Sequence, residues 1–188
     1  MIFWKEFFRL PHVTGAIAPS SKHLAKVMVE QADVRNADRV IELGPGTGVF
    51  TETILEAKKP DARFVAVEFN ENFVQDLKGR FPEASFVQGC ASKLRDHASN
   101  HEVEEACSIV SGLPWAIFDN DMQKRILHEI REVLGEKGVF ATFAYWGPHW
   151  LPSGQHFRQL LKKEFGTVRM SPVVVRNFPP AFVYVCAK

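Results

Sequence analysis

The chain has 188 residues, of which 46% are hydrophobic and 24% charged, and its formal net charge at pH 7 is +1. This composition is typical of one globular domain, excludes a disordered or fibrous chain, and lacks the strong positive charge of many nucleic-acid binders. The three cysteines are too few and too far apart for a disulfide framework or a zinc site, so we expect a cytoplasmic protein without a bound metal.

Strands alternate with helices along most of the chain. Short apolar runs predict strands, and apolar residues at helical spacing predict helices. The predicted elements are, in chain order, a helix over 20–32, a strand over 39–44, a helix over 48–59, a strand over 63–69, a helix over 70–81, strands over 84–89 and 106–112, a helix over 119–135, a strand over 138–145, a helix over 153–165, and strands over 167–176 and 181–187. The segment between the third and fourth strands is predicted as a polar connection.

This order of elements predicts an α/β fold. Strands joined by crossover helices form a parallel sheet with helices on both faces, whereas the last two strands are too close for a crossover and should form an antiparallel hairpin. We therefore predict a single domain over 1–188 with a Rossmann-like, doubly wound, seven-stranded sheet that is mostly parallel. Ligands of such sheets bind beyond the carboxyl ends of the strands, at the switch point beside the first strand.

The segment VIELGPGTG follows the first predicted strand and opens a helix. Gly44, Gly46 and Gly48 allow a ligand to approach the backbone where a Cβ would clash. The GxGxG spacing, with a valine after the third glycine, disfavours a dinucleotide site, and the GK[ST] ending of a triphosphate-binding loop is absent. With Glu42 before it, the loop resembles motif I of the class I S-adenosylmethionine-dependent methyltransferases, where it backs the methionine half of the cofactor. A purely structural turn is the alternative.

A second part of the predicted cofactor site follows the next two strands. Glu68 ends the second strand, 20 residues after Gly48, where a carboxylate can accept hydrogen bonds from both ribose hydroxyls, and Phe69 follows it. The resemblance places an adenine-binding acid after the third strand, but this chain has Cys90 and Ala91 there. We expect their backbone N–H groups or Ala91 to hold the base, and a small buried hydrophobe is the alternative for Cys90.

The acceptor side is predicted at SGLPW (111–115), after the fourth strand. Many amino-methyltransferases have an N/D-P-P-Y or N-L-P-Y stretch here, whose first side chain and carbonyls bind the target nitrogen and whose aromatic covers the site. By that resemblance the roles are a hydroxyl from Ser111, carbonyls from Gly112 and Leu113, rigidity from Pro114 and an aromatic face from Trp115. An ordinary loop with a core tryptophan is the alternative.

The whole chain resembles the bacterial phospholipid N-methyltransferases of the phosphatidylethanolamine type. The resemblance lies in GAIAPSSKHLAKVM (15–28), VIELGPGTGVFT (40–51), SGLPW and NFPPAFVY (177–184). It implies S-adenosylmethionine as cofactor, phosphatidylethanolamine as substrate on the way to phosphatidylcholine, and an anionic membrane surface as partner, with no nucleic acid and no obligate protein partner. Ribosomal RNA adenine dimethylases share the glycine loop but usually carry an N-L-P-Y type motif and an added C-terminal helical domain, which we do not expect in this protein.

The first ten residues, MIFWKEFFRL, are unusually aromatic. They are too short and too charged for a spanning helix or a signal peptide, but as a helix they would gather Lys5, Glu6 and Arg9 on one side. We predict an amphipathic helix over 1–11 that holds the enzyme peripherally at the inner face of the membrane, followed by a helical extension over 12–36. The predicted membrane contacts are Phe3, Trp4, Phe7, Phe8 and Arg9. A segment folded back onto the core is the alternative.

The expected chemistry is an in-line methyl transfer to an amine, for which the protein supplies alignment. The amine must lose a proton, and the acceptor stays open between Tyr145, His149, the lipid phosphate and water. Trp115 and Tyr145 are predicted to enclose the cationic product, with core packing as the alternative. Two other functions remain open, an RNA adenine N-methyltransferase and a small-molecule amine methyltransferase.

Overall fold

The computed structural model describes residues 20–188 and contains one seven-stranded sheet. The strands are β1 Arg39–Leu43, β2 Arg63–Glu68, β3 Ser85–Gln88, β4 Ala106–Ser111, β5 Leu134–Tyr145, β6 Thr167–Met170 and β7 Ala181–Ala187. The helices of this part of the chain are α1 Lys22–Gln31, α2 Val49–Ala57, α3 Glu71–Arg80, α4 Leu94–Asn100, α5 Asn120–Val133 and α6 Pro152–Glu164.

The strand order is β3-β2-β1-β4-β5-β7-β6. Strands β1 to β5 pair in parallel, whereas β7 pairs antiparallel with both β5 and β6. This confirms the predicted fold, including the hairpin at one edge. The order in which strands are added to the sheet reverses between β1 and β4, where Leu43 pairs with Ser111, so the loops after these two parallel strands meet at the expected ligand edge.

Helices cover both faces of the sheet, as its continuous apolar strands require. On one face, α1, α2 and α3 pack through fully buried residues such as Met28, Ile54 and Leu77. On the other face, α4, α5 and α6 pack through residues such as Ile130 and Leu161. Each face thus has its own core.

Three predicted elements differ from the structure. Helix α4 was predicted as a polar connection because only two of its seven residues, Leu94 and Ala98, are buried, which is too few to show a helical period. Gly135 does not end α5 as a cap but lies in β5, where a Cβ would stand 3.1 Å from the Glu105 carbonyl oxygen. Strand β6 is shorter than predicted, and residues 171–180 form a connection with a single bridge from Val174 to Ala181.

The predicted membrane-contact helix over 1–11, with Phe3, Trp4, Phe7, Phe8 and Arg9, lies outside the described residues, as does 12–19 of the predicted extension. The rest of that extension contains α1, which begins after Ser21, whose hydroxyl accepts the Leu24 N–H. Across 20–188 no helix has the length and apolar content needed to span a bilayer.

Candidate active site

A cavity of about 680 Å³ lies at the carboxyl edge of the sheet, within the usual size range of small-molecule sites. The strand ends bring Gly44 from β1, Glu68 from β2, Gly112 from β4 and Tyr145 from β5 to its wall. Residues predicted separately from four parts of the sequence therefore share one cavity.

The three glycines after β1 all have positive φ angles, 68°, 54° and 82°, a region that disfavours side chains. Their surroundings differ. A Cβ on Gly44 would stand 2.8 Å from Leu113 Cδ2, whereas one on Gly46 would meet nothing within 4 Å in the described chain. Gly48 caps α2, and a Cβ there would stand 2.7 Å from Leu77 Cδ2. Gly44 and Gly46 line the cavity, whereas Gly48 lets the loop pack against α3.

Glu68 connects the glycine loop to the end of β2. Its Oε2 accepts the Gly46 N–H at 3.1 Å and its Oε1 accepts the Asn70 N–H at 2.8 Å. Burial raises the pKa of this carboxyl above its ordinary value, against the lowering effect of these backbone hydrogen bonds. Glu68 lines the cavity, so it can hold the loop and also face a ligand.

Glu42 lies behind the loop rather than in the cavity wall. It is fully buried, and its Oε2 accepts a 2.8 Å hydrogen bond from the Thr51 hydroxyl, while its Oε1 has no partner among residues 20–188. Burial raises the pKa of this carboxyl to about 8. The structure thus does not bring Glu42 to the cavity, and its hydrogen bond joins the end of β1 to the first turn of α2.

The ends of β2 and β3 form the predicted base-binding side. Phe69, Cys90 and Ala91 all line the cavity. The Cys90 Sγ lies 3.1 Å from the Ser92 Oγ, and the Gly89 N–H donates to the Glu68 carbonyl. Their position fits a contact with an adenine ring, and the individual roles stay predictions.

The SGLPW segment places its members differently from the prediction. Ser111 is fully buried and does not line the cavity, and its hydroxyl accepts the Leu113 N–H at 3.3 Å. The Leu113 carbonyl accepts the Trp115 N–H, whereas the Gly112 carbonyl has no hydrogen-bond partner in the described chain. The structure therefore makes Ser111 a support of the turn and leaves the Gly112 carbonyl, among residues 20–188, as the acceptor of the turn without a hydrogen bond. Leu113 and Pro114 also line the cavity.

Trp115 is mostly a core residue. Only 5% of it is exposed, its Nε1 donates to the Thr142 Oγ1 at 2.8 Å, and its ring lies 4.8 Å from that of Phe157. It contributes to the cavity wall, but it leaves little face for a substrate. Tyr145 is half-buried, and burial raises the pKa of its phenol, which therefore stays protonated at neutral pH.

His149 lines the cavity, although the sequence indicated it only as one of four candidate proton acceptors. It is buried, its Nδ1 shares a 2.8 Å hydrogen bond with the Tyr184 hydroxyl, and its Nε2 has no partner in the described chain. Burial, and next the charge of Arg158, lower the pKa of the imidazole. The imidazole is therefore neutral at pH 7, and in the tautomer with its proton on Nδ1 the Nε2 atom has a lone pair that can accept a proton. The signal in the sequence is its place in WGPHW, directly after the fifth strand.

Gln123, at the start of α5, also lines the cavity and has a buried polar atom without a partner in the described chain. Its amide nitrogen donates to the carbonyls of Trp115 and Phe118, which fixes the orientation of the side chain. Its Oε1 then has no partner within residues 20–188, although buried polar groups are normally satisfied. Gln123 and His149 line the same cavity, so a polar ligand there can satisfy both.

Comparisons with known proteins point to one family. The model of the methyltransferase domain family matches residues 40–138. An ornithine lipid N-methyltransferase from Singulisphaera acidiphila is 30% identical over 98% of this chain and 94% of its own length. A ribosomal RNA small subunit methyltransferase A from Thermotoga neapolitana is 30% identical over 63% of this chain, which spans 43% of that enzyme.

The fold has relatives among solved structures. A TehB-like S-adenosylmethionine-dependent methyltransferase from Corynebacterium glutamicum superposes with a TM-score of 0.64 over 99% of this chain and 96% of its own. Its sequence identity is only 16%, so it supports the architecture and not a substrate.

Proposed function

The chain belongs to the methyltransferase domain family, and on that premise we propose that it transfers methyl groups from S-adenosylmethionine to the amine of a membrane-lipid headgroup. The observation that carries this proposal is the similarity to an ornithine lipid N-methyltransferase over nearly the full length of both chains. The ribosomal RNA enzyme matches over a smaller part of either chain.

The cofactor half of the cavity fits S-adenosylmethionine, which when bound supplies an activated methyl group on a sulfonium. The open space beside Gly46 lets a ligand approach the loop backbone. A carboxylate has about four lone-pair sites, so Glu68 can keep its two backbone hydrogen bonds and still accept from ribose hydroxyls. Phe69 and Ala91 offer apolar surface for the base.

On the acceptor half, the chain's own groups suit a neutral amine. The free Gly112 carbonyl can accept from an amine N–H and so orient the lone pair, which is an alignment effect. The neutral imidazole of His149 can take the proton that the amine loses when its own proton is on Nδ1, whereas Tyr145 is a protonated phenol. The Tyr145 ring can also face the methylated, cationic product.

Two headgroups meet this description. Phosphatidylethanolamine is the substrate that the sequence resemblance implies, and ornithine lipid is the substrate named for the similar enzyme. Both present a primary amine at a membrane surface. The proposal includes peripheral binding to an anionic membrane at its cytoplasmic face, through the predicted helix over 1–11.

The test uses S-adenosylmethionine with a labelled methyl group. The protein is mixed with anionic vesicles that contain phosphatidylethanolamine or ornithine lipid, and in parallel with total RNA and with small amines. We expect label in the organic extract, strongly reduced in Glu68→Gln and kept in Glu71→Gln, an exposed control on α3. The vesicle that is labelled identifies the headgroup, whereas label only in RNA or only in small amines would overturn the lipid assignment.

A further inference from the structure

The exposed large hydrophobic residues of the described chain all lie at one edge of the sheet. They are Phe69, Trp146, Trp150, Leu151, Val175 and Phe178. Phe69 follows β2, and the next three follow β5. The last two precede β7, whose first residue, Ala181, pairs with Tyr145 at the end of β5. This is the edge at which the cavity lies.

Five of these residues lie in two segments, 146–151 and 171–180, that we call the rim. They are Trp146, Trp150, Leu151, Val175 and Phe178. The segments are joined by the Trp146 N–H, which donates to the Pro180 carbonyl at 2.9 Å. Within the rim Trp150 is 60% exposed and Phe178 is 84% exposed. Exposed apolar patches of this kind mark sites of interaction with a protein, a membrane or a ligand.

The rim has a defined conformation. Asn177 is buried, its Oδ1 accepts the Ser21 N–H at 2.9 Å, and its Nδ2 donates to the Pro179 carbonyl at 2.8 Å. The rings of Trp146 and Trp150 meet edge to face at 5.5 Å. The apolar side chains are therefore held outward by a hydrogen-bonded frame, which lowers the entropic cost of binding.

The charges of the rim favour an anionic surface. Residues 146–151 and 171–180 contain no aspartate or glutamate, and their titratable side chains are Arg176 and the buried His149. Arg176 is exposed between Val175 and Phe178, within reach of His23 at 3.3 Å. Tryptophan, phenylalanine and a cation together are typical of segments that lie at the headgroup level of a bilayer.

We propose that the rim docks on an anionic lipid bilayer and sets the cavity mouth at the headgroup level. The inference rests on the proposed lipid substrate, whose amine must reach the cavity from the membrane plane. Pro148 and His149, on one side of Trp150, and Ser153 and Gly154, on the other, line the cavity. A bilayer in contact with Trp150 and Leu151 therefore lies beside the acceptor half. This contact is separate from the predicted helix over 1–11.

The first experiment measures binding of the full chain to vesicles of phosphatidylethanolamine and phosphatidylglycerol, without cofactor. The variant Trp150→Ser/Phe178→Ser removes two exposed side chains and should keep the stability of the parent. Because each large apolar side chain contributes about an order of magnitude to partitioning, we expect at least tenfold weaker binding. Lys137→Ser, exposed near the start of β5 at the opposite edge, is the control and should bind like the parent.

The second experiment separates docking from covering by the protein's own residues 1–19. Hydroxyl-radical labelling of the exposed Trp150 and Phe178 side chains of the full chain is measured with and without vesicles. Protection that appears only with vesicles supports the proposal. Protection that is already complete without vesicles would overturn it, as would equal vesicle binding by the double variant and the parent.

The two proposals can fail separately. Vesicle binding needs no methyl transfer, so a chain that docks through the rim but labels only small amines would refute the lipid substrate and keep the rim. A chain that labels lipid, and whose double variant binds vesicles and labels lipid like the parent, would refute the rim and keep the substrate.

Discussion

The backbone of Gly112 lies so close to that of Gly44 that a Cβ on Gly112 would stand 2.7 Å from the Gly44 carbonyl oxygen. The two residues follow β4 and β1, the neighbouring parallel strands between which the strand order reverses. The same Cβ would stand 3.3 Å from the ring of Phe50 in α2. The acceptor turn and the glycine loop are therefore in direct contact, and the spacing of the two halves of the cavity depends on the absence of a side chain at position 112.

Replacement of Gly112 by alanine should disturb both halves of the cavity. The methyl group would meet backbone, which cannot move aside as a flexible side chain can, so overpacking should cost about 1–3 kcal/mol of stability. We also expect at least tenfold weaker binding of S-adenosylmethionine, measured by titration calorimetry. Gly147→Ala is the matched control, since a Cβ there meets nothing within 4 Å in the described chain. Equal cofactor affinity in the two variants would contradict this account.

Replacement of Glu68 by glutamine should weaken cofactor binding without unfolding the protein. The amide keeps one oxygen acceptor, but it loses the charge and one of the two acceptors for the Gly46 and Asn70 N–H groups. Hydrogen bonds to charged groups contribute roughly 1.5–3 kcal/mol, so we expect a ten- to hundredfold rise in the Kd of S-adenosylmethionine. Calorimetry measures it, with Glu71→Gln as control, and an unchanged Kd would remove Glu68 from the site.

Glu42 should make stability fall as the pH rises through neutrality. Its folded pKa, about 8, lies above the ordinary value of 4.5, mainly because burial disfavours the carboxylate. The folded protein therefore keeps a proton that the unfolded chain releases, and the contribution to stability is full below about pH 4.5 and is lost as the pH rises toward 8.

The variant Glu42→Gln lacks this titration but can still accept the Thr51 hydroxyl bond. Between pH 5 and 8 we expect it to lose less stability than the parent, by on the order of 3 kcal/mol. Urea unfolding at both pH values measures the difference, and Glu56→Gln, exposed on α2, should follow the parent. Parallel curves for Glu42→Gln and the parent would show that Glu42 is ionised in the folded state.

Replacement of Tyr184 by phenylalanine should destabilise the protein through His149. The hydroxyl is the partner of the His149 Nδ1 at 2.8 Å, so its loss leaves a buried ring nitrogen unsatisfied and should cost about 1–3 kcal/mol. Chemical unfolding at pH 7.5 measures the change. Tyr145→Phe is the control, because the Tyr145 hydroxyl makes no hydrogen bond within residues 20–188, and a similar loss in both variants would argue against the His149 pair.

The predicted strands were mostly correct because each buried strand is a short apolar run and the helices between them show a 3.6-residue period. Two predictions were wrong because the residues concerned do not show their structural role in the local sequence pattern. Gly135 was predicted to end a helix, yet its missing side chain serves the close approach of β5 to Glu105. Helix α4 buries too few residues to show a period.

The sequence predicted those residues of the candidate site that lie at the ends of strands. Gly44, Glu68, Gly112 and Tyr145 all follow or end a strand, and parallel strands carry such residues to one edge. Ser111, Gly48 and Glu42 belong to the same motifs but do not reach the cavity. Whether a strand-end side chain points into a cavity or behind a loop depends on packing, which spacing does not record.

The sequence by itself determined the layered α/β architecture and the edge at which a ligand binds, because apolar periodicity and glycine placement are local properties of the chain. Only the tertiary structure decided that Gly44 and Gly112 are in contact, that His149 is held by Tyr184, and that the exposed apolar residues gather beside the cavity. These relationships join residues far apart in the chain. The burial that lowers the pKa of His149 and the exposure of the apolar side chains are properties of the folded protein alone.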